Sequence, residues 1–356
     1  MKQSKRSRII STALILCSIV MVIVIAFSNG ELTNAWQALK SLHQGWLAVC
    51  VACLMGYIAA EGAGLSAFLK ARGYRLPLPS AIHLSFQGLY YANITPGSSG
   101  GQPMQVYLMK RRNIPVGVGS SALTVRFFFN QLAAVGMTIA LWLSEMAFCR
   151  AQLGRVSALI VAGWLVNFSS VPLILLAVFK RSLMDHIARW LIGLGARIRL
   201  VKQPEEVLTR VEGILDNFHD SIREVMKRPG QIAAQMALSL TEMLCLTAVT
   251  VGVYHAFGQT GTSWSQLLAV AFMLFVSASY TPLPGASGAQ EGGFLLYYRG
   301  IFTGGTLSVA LLVWRFMTYY LILIMGAGDA LLTSFRRKYA KVELEADEHA
   351  PENGAA

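Results

Sequence analysis

Two Pro/Gly-rich stretches interrupt otherwise apolar sequence: T-P-G-S-S-G-G-Q-P at Thr95–Pro103 and T-P-L-P-G-A-S-G-A-Q-E-G-G at Thr281–Gly293. A continuous helix cannot run through either one, because proline removes a helical donor and glycine weakens the helix. Five residue types coincide in order when the two are aligned: Pro96, Gly97, Ser99, Gly100 and Gln102 match Pro284, Gly285, Ser287, Gly288 and Gln290. The match indicates an internal repeat with one break in each half.

The composition around these breaks is that of a membrane protein. The chain has 356 residues, of which 54% are hydrophobic and only 13% are charged, and its mean hydropathy is +0.52. Soluble domains carry about 25% charged residues, so lipid must solvate much of this surface. The net charge of +12 falls in clusters between apolar segments. Basic clusters at such places orient a membrane chain, which excludes a nucleic-acid role.

Hydrophobic length predicts an all-α polytopic membrane protein with about six full spans and two broken or re-entrant helical hairpins. The predicted spans are Ile9–Phe27, Trp46–Leu69, Val118–Trp142, Val156–Phe179, Ile232–Phe257 and Leu307–Leu332. The broken hairpins lie at Pro79–Leu108 and Trp264–Tyr298. Because basic residues mark the cytoplasmic ends of spans, both termini are predicted to be cytoplasmic, in a bacterial inner membrane.

The predicted spans and the charged segments between them divide the chain into five parts. Residues 1–45 form an N-terminal anchor span and external loop, and residues 46–179 form the first membrane repeat. Residues 180–230 form a cytoplasmic amphipathic connector, which either lies on the membrane surface or packs on the ends of the spans. The second repeat covers 231–337, and 338–356 is an acidic tail of disordered composition.

Further matches support two repeats of opposite topology. Arg126-Phe127 corresponds to Arg315-Phe316, and Glu61 corresponds more loosely to Glu242. The charge pattern makes equivalent spans run in opposite directions. Inverted halves that each carry an interrupted helix are typical of transporters with a substrate site near the membrane midplane. The alternative is that the glycines only permit close helix packing.

Four charged residues lie within predicted spans, where each costs about 2.5–3.5 kcal/mol on insertion scales. They are Glu61, Arg126, Glu242 and Arg315. One interpretation pairs Glu61 with Arg126 and Glu242 with Arg315 as structural ion pairs. The other assigns the arginines to a lipid phosphate, for which guanidinium offers a bidentate fork.

Glu291 has no acidic counterpart in the first motif, where Pro103 occupies the equivalent position. Its carboxylate is expected to cap the half-helix that starts after the break. Contact with a cationic headgroup or transfer of a proton are the other roles open to it.

Signs of enzymatic chemistry are missing from the sequence. It contains no H-E-x-x-H metal site, no phosphate-binding loop and no G-x-S-x-G nucleophile elbow. We therefore expect no enzymatic activity, no metal and no cofactor.

The paired motifs resemble the lysylphosphatidylglycerol synthase transmembrane region, a flippase-like family, from about the first span to Arg337. The Q-E-G-G end of the second motif is the more specific part. The resemblance implies lipid translocation. It implies no aminoacyl transfer, because the soluble domain that performs that reaction in full-length synthases has no counterpart here. Family members handle different lipids, so the resemblance does not identify the substrate.

These observations together predict translocation of a phospholipid or related lipid between leaflets. The alternative is an accessory subunit that presents lipid to a separately encoded lipid-modifying enzyme. Besides membrane lipid, that enzyme and a second copy of the chain are candidate partners. The predicted headgroup site comprises Gly97, Ser99, Gly100, Gln102, Arg126, Gly285, Ser287, Gly288, Gln290, Glu291 and Arg315, supported by the buried charges Glu61 and Glu242.

Overall fold

The computed structural model describes residues 32–154, 157–197, 203–279 and 281–329, which form α-helices joined by short turns. The predicted anchor Ile9–Phe27 and the predicted acidic tail 338–356 lie outside the described residues. The helices before the connector are α1 Leu32–Lys40, α2 Gln44–Ala71, α3 Leu78–Asn93, α4 Gly101–Lys110, α5 Val116–Ser144, α6 Met146–Leu153 and α7 Ser157–Phe179. They are followed by α8 Arg181–Arg197, α9 Pro204–Met226, α10 Pro229–Ala256, α11 Trp264–Ala278, α12 Ala289–Tyr297 and α13 Leu307–Asp329.

Four of the described helices, α2, α5, α10 and α13, are long and apolar enough to cross a membrane. Each coincides with a predicted span to within a few residues. The fourth predicted span corresponds to α7, which has 23 residues. The prediction of an all-α polytopic membrane protein is confirmed.

The order of elements in the first half recurs in the second. A long helix, a shorter helix, a 3-10 turn, a short helix and a second long helix follow one another in both. The long helices α2 and α10 run antiparallel, since the backbone N–H of His43 donates to Ala256 (3.0 Å) and the Gln235 side chain donates to the Gly64 carbonyl (3.0 Å). The first long helices of the two halves therefore point in opposite directions.

Helices of each half also pack against helices of the other half. The helix before each break packs against the last long helix of the other half, so α3 lies on α13 and α11 lies on α5. On the first side, Gln87 donates a hydrogen bond to Asp329. On the second, Ser265 of α11 donates to Glu145, the residue that directly follows α5 (2.5 Å). On both sides of the bundle, therefore, the helix before a break contacts the last long helix of the other half or the residue that follows it.

The connector packs on the end of a long helix. Ile222 and Val225 of α9 are buried in one apolar cluster with Phe68 of α2. The ion pair between Arg72 and Glu224 joins the same two helices. The C-terminal part of α9 therefore packs on the end of α2.

Candidate functional site

The two breaks have nearly the same backbone where they begin. Gly97 and Gly285 have φ values of 57° and 59°, in the left-handed region that favours glycine. The residues that follow them, Ser98 and Ala286, also have positive φ. The breaks contact each other, because the backbone N–H of Gly97 donates to the carbonyl of Pro282 (3.0 Å). Backbone groups freed by the prolines are thus partly satisfied by the opposite half.

The breaks diverge where the short helices start. Gly288 has a φ of 87°, whereas Gly100 has a φ of −86°. The backbone N–H of Gly288 donates to the carboxylate of Glu291 (2.6 Å), as the predicted capping role requires. In the first half, the hydroxyl of Thr95 accepts from the N–H of Gly100 (2.8 Å). The second half therefore places a charge where the first uses a neutral hydroxyl.

Arg126 is buried at the centre of a polar cluster between α5 and α10. Its side chain forms an ion pair with Glu242 and donates to the Ser239 hydroxyl (3.1 Å) and to the side-chain amide oxygen of Gln235 (3.3 Å). The side-chain amide of Asn130, one turn along α5, donates to the other carboxylate oxygen of Glu242 (2.8 Å).

The predicted pairing of Glu61 with Arg126 is wrong. Glu61 instead accepts a hydrogen bond from the side chain of Gln105 on α4 (2.7 Å). Gly64 explains the difference: a Cβ there would lie 2.5 Å from the Arg126 guanidinium, so only glycine lets that group lie flat on α2 and reach α10.

The predicted pairing of Glu242 with Arg315 is also wrong. The Nε of Arg315 donates to Glu291 (2.7 Å), and its Nη2 donates to the carbonyl of Gly285 (3.0 Å). Glu291 takes this role because the capped first turn of α12 packs beside α13. The ring of Tyr319 lies 4.9 Å from the guanidinium, a distance at which a cation–π contact forms.

Two adjoining cavities lie beside the breaks. The Arg315 cavity, of about 310 Å³, is bordered by Arg315, Gly285 and Gln290. The Arg126 cavity, of about 230 Å³, is bordered by Arg126, Glu61 and Gln102. Both include Tyr57, Leu89, Ala92 and Ser98 among their walls. The two cavities therefore meet where α2 and α3 face the first break.

The predicted site residues divide into two groups. Those on the cavity walls are Glu61, Gln102, Arg126 and Glu242 in the Arg126 cavity and Gly285, Gln290 and Arg315 in the Arg315 cavity. Those in the breaks and their caps, away from the walls of both cavities, are Gly97, Ser99, Gly100, Ser287, Gly288 and Glu291.

Among the described residues, no group of three or more His, Cys, Asp or Glu side chains is placed to hold a metal ion.

Several wall and network residues were missed by sequence reasoning. They are Tyr57, Gln105, Asn130, Gln235, Ser239 and Tyr319. A signal was present for some of them, because Asn130 follows Arg126 by four residues and Ser239 precedes Glu242 by three. Polar residues at that spacing share a helix face with the buried charge. Tyr319 carried the same signal, because it follows Arg315 by four residues, and it lies in a π-helical turn at Phe316–Tyr320.

Comparison with known proteins places this architecture in a family. A family model described as the lysylphosphatidylglycerol synthase TM region matches residues 8–326. A UPF0104 membrane protein of Archaeoglobus fulgidus is 24% identical over 331 residues, which cover 91% of this chain and 97% of that protein. The matched region contains both breaks, both buried arginines and both cavities. The chain belongs to the family of the lysylphosphatidylglycerol synthase transmembrane region.

Proposed function

We propose that the protein translocates a phospholipid or related lipid between the leaflets of a bacterial inner membrane. The observation that carries this proposal is the pair of adjoining cavities, with polar groups on their walls, at the contact of the two breaks. A space with polar wall groups among apolar helices suits a lipid headgroup, whose acyl chains can stay in the bilayer.

The cavity walls support this function chemically. Arg315 borders one cavity and Arg126 the other, so a phosphate in either space would lie beside a guanidinium. The carboxylates paired with these arginines neutralise most of the guanidinium charge, which favours weak and reversible binding of a phosphate. Rocking of one inverted half against the other would open the cavities to alternate sides. Basic clusters assign both termini to the cytoplasm, as the sequence predicts.

Leaflet transfer of a fluorescent lipid tests the proposal. The purified full chain is reconstituted in vesicles of phosphatidylethanolamine and phosphatidylglycerol containing fluorescent phosphatidylglycerol, and an impermeant quencher reports the lipid exposed outside. We expect transfer faster than in protein-free vesicles. Transfer equal to that of empty vesicles, for this lipid and for aminoacylated and zwitterionic analogues, would reject the function.

Variants of the cavity walls locate the path. Gln102→Leu and Gln290→Leu each remove a polar wall group that belongs to neither ion pair, and we expect both to slow transfer. Arg210→Gln is the matched control, since that side chain is 71% exposed on the connector helix α9 and we expect an unchanged rate. Equal rates in all three variants would place the lipid path elsewhere.

A second function, that of an accessory subunit presenting lipid to a separate lipid-modifying enzyme, is favoured by one observation. Both buried arginines are already paired with carboxylates of their own chain, as purely structural arginines would be. Co-purification with such an enzyme, together with absent leaflet transfer, would support this function over translocation. No enzymatic activity of the chain itself is part of either proposal.

A further inference from the structure

The Arg126 cavity holds one more carboxylate than it has cations. Its walls carry Glu61 and Glu242 against the single guanidinium of Arg126. Glu242 takes the ion pair with Arg126, whereas Glu61 is hydrogen-bonded by the neutral amide of Gln105. With all three ionised, the cluster has one net negative charge inside an apolar bundle, where an unpaired charge is costly.

The other half of the protein provides an internal comparison. There, one carboxylate and one guanidinium, Glu291 and Arg315, form a balanced pair with side-chain exposures of 1% and 4%. The cluster at the Arg126 cavity also has a balanced pair, between Arg126 of the first half and Glu242 of the second, but it has Glu61 as an additional acid. Packing alone does not require that acid, because the equivalent arginine is held without one.

The surroundings of Glu61 offer no other charge to neutralise it. The titratable or charged groups that share its cavity are Tyr57 on α2, Arg126 on α5 and Glu242 on α10. The walls from α3 and α4 contribute glycine, leucine, alanine and the amides of Gln102 and Gln105. Among the described residues, no ion pair reaches Glu61.

Two further polar atoms at this cavity lack partners. Within the described part of the chain, the Nε of Arg126 and the Oδ1 of Asn130 are buried without a hydrogen bond. Arg126 has 3% of its surface exposed and both residues border the cavity. A donor and an acceptor in the cavity that Glu61 also lines can bind water, and bound water is the group that would carry a proton to its carboxylate.

We propose that Glu61 is a proton-binding site that couples lipid movement to the proton gradient. This inference rests on the proposed translocation function. One proton enters from the more acidic side and forms an O–H bond on the Glu61 carboxylate. That bond breaks when the same proton leaves to the opposite side. Neither step is a redox reaction. With the proton bound, the cluster of Glu61, Arg126 and Glu242 is neutral, and the halves can rearrange without carrying an unpaired charge through the apolar bundle.

Infrared difference spectroscopy tests the proton site without requiring transport. Purified protein in nanodiscs is moved between alkaline and acidic buffer, and the carbonyl stretch of a protonated carboxylic acid is followed. We expect a band that Glu61→Gln removes and that Glu206→Gln, an exposed control on α9, retains. Gel filtration verifies that both variants fold. If correctly folded Glu61→Gln retains the full band, the proposal is wrong.

Leaflet transfer then tests the coupling. A pH gradient of about one unit can bias a one-proton step by at most about tenfold. We expect a gradient to accelerate transfer of fluorescent phosphatidylglycerol by the wild type and by Glu206→Gln, and to have no effect on Glu61→Gln. If the rate of transfer by the wild type does not change with the pH gradient, or changes only with a sodium gradient, the proposed coupling is wrong but the translocation function is not contradicted. Absent wild-type transfer would instead refute the proposed function, with the infrared result still deciding whether Glu61 binds a proton.

Discussion

Alanine substitutions at the two break glycines separate backbone strain from crowding. Gly97 and Gly285 have φ values of 57° and 59°, so Ala at either one incurs the left-handed penalty of about 1–2 kcal/mol. Their surroundings differ. A Cβ at Gly97 meets nothing within 4 Å among the described residues, whereas one at Gly285 would lie 2.2 Å from the ring of Tyr319. Tyr319 is 1% exposed, so its ring has little room to move.

Overpacking of this kind typically adds about 1–3 kcal/mol, so Gly285→Ala should be more destabilising than Gly97→Ala by that amount. At about 2 °C per kcal/mol, the difference in apparent Tm is several degrees. Heating of detergent-purified protein followed by gel filtration measures it. Tyr319→Leu should recover part of the loss in the Gly285→Ala background. Equal Tm values for the two glycine variants would refute the close contact of Tyr319 with the second break.

Three further substitutions test the ion pairs. Gly64→Ala should lower stability and displace Arg126, because the new Cβ would lie 2.5 Å from its guanidinium. A lower apparent Tm would show this loss of stability, and an unchanged Tm would contradict the packing of Arg126 on Gly64. Glu291→Gln should cost about 3–5 kcal/mol, since Arg315 would remain buried without a countercharge, and a cost near zero would contradict that pair. Glu206→Gln, in an exposed pair, should change stability by less than about 1 kcal/mol, and a larger loss would contradict its exposure.

The helices and breaks could be predicted because their signals are local. Hydrophobic length marks a span, and proline with glycine marks its interruption, wherever the rest of the chain lies. The inverted arrangement followed from the same local features plus the distribution of basic residues. The antiparallel contact of α2 with α10 agrees with that prediction.

The ion pairs could not be predicted, because they depend on how helices rotate and approach. Arg126 reaches Glu242 only because Gly64 lets its guanidinium lie against α2. Arg315 pairs with Glu291 because the capped turn of α12 packs beside α13. Pairing residues by their equivalent positions in the two repeats could not foresee that Arg126 pairs with a carboxylate of the other half and Arg315 with one of its own.

A cryo-electron microscopy map of the full chain in lipid nanodiscs tests the central claim most directly. That claim is that two inverted halves bring their interrupted helices together around a space for a lipid headgroup. The map should show Gly97 and Pro282 within hydrogen-bonding distance and headgroup density in the adjoining cavities beside Arg126 and Arg315. Breaks that lie apart, or that face the acyl chains of the bilayer, would contradict the account.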